Sequence, residues 1–199
     1  IENTTNAKIA VIDTETTLSY DLMAIGVVVA DRESFTPLGK KYYIIDPTYK
    51  EPSMYYDKIF YTDSLPYRKL IKEKALSELK ELLLSNNVNS IFAYNASFDY
   101  SHLPGLESFD WYDITKIAAY KQYNGKITDN MSTYSTGKLV RDYDVSSIYR
   151  LLSGKEKYIE KHNALLDALD ELEIMKMLDQ PFSVYEKARY IKKPAKKKP

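Results

Sequence analysis

The chain has 199 residues, 44% of them hydrophobic, with 28 basic and 28 acidic groups, two His and no Cys. That length and apolar fraction suit one folded domain and exclude wholesale disorder. The lack of Cys excludes disulfide scaffolds, thiolate zinc sites and thiol nucleophiles, and two His are too few for a multi-histidine metal centre.

The net charge of zero hides an asymmetry. Seven basic residues and no acid lie in 187–199 (Lys187, Arg189, Lys192, Lys193, Lys196, Lys197, Lys198), which leaves 21 basic against 28 acidic groups in 1–186. An acidic body of net −7 therefore adjoins a +7 tail. Charge asymmetry of this kind accompanies contact with nucleic acids or membrane surfaces. The apolar run 24–30 is too short to span a bilayer, and no basic-then-apolar leader precedes Lys8, so a soluble, cytoplasmic protein is expected. AT-rich coding would account for the 19 Tyr, and Tyr also offers a stacking surface for nucleobases.

In chain order, residues 8–13, 22–30 and 40–45 read as strands of an antiparallel meander, separated by turn residues. Residues 47–67, rich in Tyr and Pro, read as a loop with a short helix. Leu70, Ile71, Ala75, Leu76, Leu79, Leu82 and Leu83 recur at helical spacing, which predicts a helix over 68–85 ending at Asn86-Asn87. A short strand at 90–94 leads into a helix that ends before Pro104-Gly105. A further strand is expected at 109–112 and a helix at 114–120. Residues 121–144 are polar and read as an excursion such as a hairpin. Ser146 is a candidate N-cap for a helix through 152, Asp142 and Asp144 read as turn residues, and Asn163 is a candidate N-cap for a helix to about 178. The alternation predicts one α/β domain with a mixed sheet.

Four acids follow these elements. Asp13 and Glu15 lie two apart at a strand's end, so the period of two turns both to one face. Side-by-side carboxylates repel, and a divalent cation with a preference for hard oxygen ligands is their natural compensation. Asp99 follows the strand at 90–94, in the first turn of a helix, where complementing the helix dipole suffices to explain it. Asp167 lies in the first turn of the last long helix, beside the apolar stripe Leu165, Leu169, Leu172 and Met175, with His162 in the preceding loop. Each feature alone is common in structural roles.

In order and spacing, the motifs Asp13-x-Glu15, Asn95-x-x-Phe98-Asp99 and His162-x-x-x-x-Asp167 together resemble the DEDDh (DnaQ-like) family of 3′–5′ exonucleases within the ribonuclease H-like superfamily. The resemblance spans about 9–178. Asp113-Ile114-Thr115 and Leu165-Leu166-Asp167-Ala168 also match. Asn163 stands where the tyrosine subgroup has Tyr, so the histidine subgroup fits better. Leu18 departs from the Gly found in many members after the Thr-Thr pair.

The resemblance implies a single ribonuclease H-like α/β domain over 1–186, with a mixed five-stranded sheet flanked by helices and 187–199 as a basic tail. It also implies two divalent cations, Mg²⁺ or Mn²⁺, held by Asp13, Glu15, Asp99 and Asp167. His162 is then the general base, and Thr14, Thr16, Leu18 and Phe98 contact the terminal nucleotide. The implied reaction releases nucleoside 5′-monophosphates from the 3′ end of single-stranded DNA, with proofreading beside a DNA polymerase as one setting. An exoribonuclease or oligoribonuclease acting on RNA is the alternative, and a nucleic-acid-binding polymerase-partner module with little catalysis is a weaker one. His102 is expected to be structural. Residues 47–67 and 121–144 carry no motif of the family.

Overall fold

The computed structural model describes residues 7–60 and 66–192. A six-stranded sheet has the order β4-β3-β2-β1-β5-β6. Strands β1 (Lys8–Thr16), β2 (Leu22–Asp31) and β3 (Pro37–Ile45) form the antiparallel meander, and β5 (Val88–Ala93) and β6 (Asp110–Asp113) continue parallel to β1. The five-stranded expectation is corrected to six. Arg68–Leu70 forms a short edge strand, β4, parallel to β3, and Leu70 O accepts from Asp46 N at 2.9 Å. Sheet pairing takes those residues out of the expected helix, so α1 covers only Lys72–Ser85.

The sheet is covered on both sides. Ile9 and Val11 of β1 face one core with Leu165, Ala168 and Leu172 of α5 (Ala164–Leu178), while Ala10 and Ile12 face the other with Ala75, Leu79 and Leu83 of α1. All ten residues of β2 are buried, as expected of a strand with both faces covered. The remaining helices are α2 (Ser97–His102), α3 (Thr115–Ala118), α4 (Val145–Ser153) and α6 (Phe182–Tyr185). Asn163 caps α5 as the sequence predicts, its side chain accepting from Leu166 N. The cap of α4 is Asp144 rather than Ser146: its carboxylate accepts from Ser147 N at 2.9 Å and Ser147 Oγ at 2.7 Å. The expected excursion 121–144 carries an isolated antiparallel bridge of Thr133 with Leu139, and its Lys138 bridges back to Tyr120.

Gly26 fixes how closely α5 approaches the sheet. It is paired with Asp13 across the β1–β2 ladder, and a Cβ there would collide with the backbone carbonyl of Ala164 and the amide of Leu165. A glycine is required here by close backbone approach, not by turn geometry.

Part of the basic tail packs on the domain. Ala188 is buried, Tyr190 N donates to Trp111 O at 2.8 Å, and Arg189 pairs with Asp110 on β6. Lys193, Lys196, Lys197 and Lys198 lie outside the described residues. No described helix is long and apolar enough to cross a membrane.

Candidate active site

Strand β1 alternates, so Asp13 and Glu15 continue the Ile9–Val11 side, the side that α5 covers. Because Gly26 lets the start of α5 touch the sheet, Asp167 in its first turn lies against these acids. Asp99, in the first turn of α2, reaches the same place from the end of β5. It accepts a 2.7 Å hydrogen bond from Thr14 Oγ1 on β1. The three motifs are thus brought together from a strand and two helices, and Asp99 and Asp167 are 2% and 1% exposed. Ligand atoms of Glu15, His162 and Asp167 all lie within 4.8 Å of one another.

Two further acids stand here that the motifs did not single out. Glu171 lies one turn beyond Asp167 and is 1% exposed, its Oε2 accepting from Tyr94 N at 3.1 Å. Glu160 approaches from the loop before His162. The i, i+4 spacing of Asp167 and Glu171 was the available signal for the first; Glu160 has no local signal. Asp170, also on α5, is instead taken up by Tyr158 Oη and Lys161 Nζ.

The electrostatics follow from burial and like charge. Burial, then repulsion from Glu171, Asp99, Glu15 and Asp167, raises Asp13 well above the usual carboxylate range. Burial and the neighbouring acids push Glu15 up to about 8 and Glu160 up to about 7. Asp99 is pushed up by burial to about 7 against the lowering hydrogen bond from Thr14, and Asp167 by burial and Glu160 to about 7 against backbone bonds from Lys161 and Asn163. Among the described residues, neither Asp13 nor Glu15 has a salt bridge or a side-chain hydrogen bond. A set of hard oxygen donors that raise one another's pKa, beside one imidazole, fits divalent cations of the Mg²⁺ or Mn²⁺ kind.

The loop bearing His162 is held by Asp167 itself. Lys161 N donates to Oδ1 at 3.2 Å and Asn163 N to Oδ2 at 2.8 Å. His162 between them adopts φ 52°, a left-handed backbone conformation just before the N-cap of α5. The ring stacks face to face on Tyr55, with centroids 3.6 Å apart and planes within 6°. Burial, then Lys58, lowers its pKa. On the other side, the Asn163 amide donates to Lys58 O at 2.9 Å, Ile59 O at 3.1 Å and Tyr42 Oη at 3.3 Å.

Beside the acids a cavity of about 230 Å³ is lined by Thr14, Glu15, Thr16, Thr17, Leu18, Tyr20, Met54, Tyr55 and Phe98. All four predicted nucleotide-contacting residues are among them. The Thr14 hydroxyl is already engaged by Asp99, and Leu18 is 61% exposed at the rim. Tyr20, Met54 and Tyr55 were missed, the last two because 47–67 carries no motif. His102 has the structural role expected of it: Nδ1 lies 2.8 Å from Phe98 O and Nε2 3.0 Å from Tyr20 O, which ties α2 to the β1–β2 turn. A larger cavity lined by Tyr94, Asn95, Asp113, Lys138 and Glu160, among others, holds none of Asp13, Glu15, Asp99 and Asp167.

An α/β domain with an acidic cleft where β1, α2 and α5 meet is the architecture of ribonuclease H-like nucleases. The chain has the fold of the DEDDh 3′-exonucleases within that group. It is similar to a 3′-exonuclease described for 3′-end specific recognition of a histone mRNA stem-loop, at 14% identity and TM-score 0.61, over 88% of this chain and 64% of that one. It is similar to the nuclease domain of 3′hExo, a DEDDh family member bound to rAMP, at 13% identity and TM-score 0.57, over 87% and 92%. It is also similar to the zinc-bound ExoI–ssDNA complex of E. coli, at 10% identity and TM-score 0.56, over 87% of this chain but 40% of that one. No protein-family model matches the sequence, and no curated protein sequence matches it.

Proposed function

We propose that this chain is a divalent-metal-dependent 3′–5′ exonuclease that removes terminal nucleotides as 5′-monophosphates, with single-stranded DNA as its substrate. The observation that carries this reading is the convergence of Asp13, Glu15, Asp99, Asp167 and His162 beside a cavity of nucleoside size. Asp13, Glu15, Asp99 and Asp167 hold two cations, Mg²⁺ or Mn²⁺. When bound, the ions supply charge stabilisation to the attacking and leaving oxygens of an in-line displacement.

The protein's own groups do the rest. His162, its pKa lowered by burial and Lys58, is neutral near pH 7 and accepts the attacking water's proton at a ring nitrogen. Asp167 holds the loop that presents it. Thr16, Leu18 and Phe98 seat the terminal nucleotide, with Thr14 fixing Asp99 from the cavity wall. Segment 187–199 adds a non-specific electrostatic hold on the strand.

The same site can act on RNA, a reading favoured by the histone mRNA stem-loop and the rAMP recognised by two of the similar nucleases. A time course on 5′-labelled single-stranded DNA and RNA with Mg²⁺, Mn²⁺ or EDTA decides both points. The expected result is a ladder shortening from the 3′ end, faster on DNA, abolished by EDTA and lost in Asp13→Ala and His162→Ala. Metal-independent cleavage, or full activity of Asp13→Ala, overturns the proposal.

A further inference from the structure

The Tyr-rich segment 47–67, which the motifs leave unassigned, is fastened to the site on both sides of Tyr55. Before it, Leu18 N donates to Pro52 O at 2.9 Å and Ser53 Oγ to Thr16 O at 3.3 Å, joining the segment to the end of β1. After it, Lys58 O and Ile59 O accept from the Asn163 amide, next to His162 in the chain, and Ile59 O also accepts from Tyr42 Oη at 2.7 Å. Tyr55 is therefore held between the two halves of the site. One face of its ring lies flat on His162 at 3.6 Å. The same side chain walls the cavity with Thr16, Leu18 and Phe98. Its hydroxyl makes no hydrogen bond among the described residues, so its contribution comes from the ring.

We propose that Tyr55 is the positioning residue for His162, and that it makes the orientation of that imidazole depend on a base filling the cavity. This rests on the reading of His162 as the base of an exonuclease. His162 has a left-handed backbone conformation before the start of α5, and Asp167 accepts from the amides of Lys161 and Asn163 on either side of it. The flat contact with Tyr55 restricts rotation of its ring. A nucleobase entering the cavity meets the Tyr55 ring and limits its movement in turn. A 3′ end with a complete nucleoside thereby orders His162 and an end lacking a base does not. Orientation errors of about 1 Å at a reacting group cost up to about a hundredfold in rate.

The experiment compares Tyr55→Leu, Tyr55→Phe and His162→Ala with the parent protein. The substrates are 5′-labelled oligonucleotides ending either in a normal 3′ nucleoside or in an abasic tetrahydrofuran residue. The parent is expected to turn over the normal end about tenfold faster. Tyr55→Leu loses about tenfold or more in kcat on the normal end with KM changed far less, and its preference over the abasic end falls to about one. Tyr55→Phe restores both. With only two His in the chain, the His162 ring resonances are assignable by difference from His162→Ala. They are expected upfield in the parent and in Tyr55→Phe, and shifted downfield in Tyr55→Leu while those of His102 stay in place.

Tyr55→Leu retaining kcat within twofold overturns the proposal, as does an unchanged preference for the normal end. Tyr55→Phe falling as far as Tyr55→Leu also overturns it, because the hydroxyl is then the active element. An unmoved His162 signal in Tyr55→Leu removes the stack as the cause. The exonuclease reading fails separately, if His162→Ala is itself fully active.

Discussion

Thr14 Oγ1 donates to the carboxylate of Asp99 at 2.7 Å across 85 positions of sequence, so the strand carrying Asp13 and Glu15 is joined directly to the helix carrying the third acid. The bond favours the charged form of Asp99 and opposes the burial that pushes its pKa up to about 7. Removing the hydroxyl with Thr14→Val leaves burial unopposed, and the Asp99 pKa is expected to rise further, by about one unit. Carboxyl-carbon NMR titration of the metal-free protein reads it directly. Thr14→Ser should titrate like the parent.

The acidic cluster makes the metal-free protein sensitive to alkali. Glu15, Asp99 and Asp167, at about 8, 7 and 7, sit far above the ordinary carboxylate range of the unfolded chain, near 4. Between these limits the folded state binds more protons than the unfolded state, so stability is greatest on the acid side and is lost as pH rises through 7 to 8. In EDTA the melting temperature is expected to fall steadily from pH 5 to pH 8. Added Mg²⁺ should recover most of that at pH 8 and little at pH 5. A flat profile in EDTA would count against the buried cluster.

The Glu171 carboxylate, when ionised, comes behind only burial among the causes that raise the Asp13 pKa, and burial raises its own pKa well above the usual range. Glu171→Gln keeps the shape and removes the charge, and the amide oxygen can still accept from Tyr94 N. The metal-free protein should become more stable at pH 8, and the apparent affinity for Mn²⁺ should drop severalfold because the site offers less negative charge. Calorimetric titration with Mn²⁺ measures the second effect.

Gly26→Ala tests the close approach of β2 and α5. The added methyl meets backbone on the helix side, which cannot swing aside as a side chain does. A destabilisation of about 3 kcal/mol is expected, lowering the melting temperature by roughly 6–12 °C. Because Asp167 moves with the helix, activity should fall further than unfolding explains at 20 °C.

Deleting residues 191–199 removes Lys192, Lys193, Lys196, Lys197 and Lys198. If these neutralise phosphates, the slope of log affinity against log salt becomes shallower by about 0.7 for each phosphate of a single strand that is no longer neutralised. Turnover of dinucleotides should be unchanged. Fluorescence anisotropy on a 20-mer between 50 and 300 mM NaCl gives the slope.

The four motif acids were legible through the combined order and spacing of Asp13-x-Glu15, Asn95-x-x-Phe98-Asp99 and His162-x-x-x-x-Asp167, whereas Glu160 and Glu171 were not. The β-branched run before Asp13 and the apolar stripe of α5 fixed which way Asp13, Glu15 and Asp167 face. Arg68–Leu70 was not legible as a strand. A three-residue edge strand has no room to display alternation, and Leu70 continues the leucine spacing of α1. Gly26 was silent because its reason, the Ala164 backbone, lies far along the chain. Tyr55 was silent likewise, since a stack between residues 55 and 162 leaves no local pattern. Asp144 displaced Ser146 as the α4 cap because its carboxylate serves both the amide and the hydroxyl of Ser147.

The touch between Gly26 and the start of α5 bears on how far such a sequence can drift. The placement of Asp167 over Asp13 is set by main chain meeting main chain, and side chains in the surrounding cores do not determine it. Those cores can be rewritten in many hydrophobic combinations while the acids keep their station, provided one position on β2 stays without a side chain. The fold itself is shared with a 3′-exonuclease at 14% identity, at a distance where no family model matches the sequence.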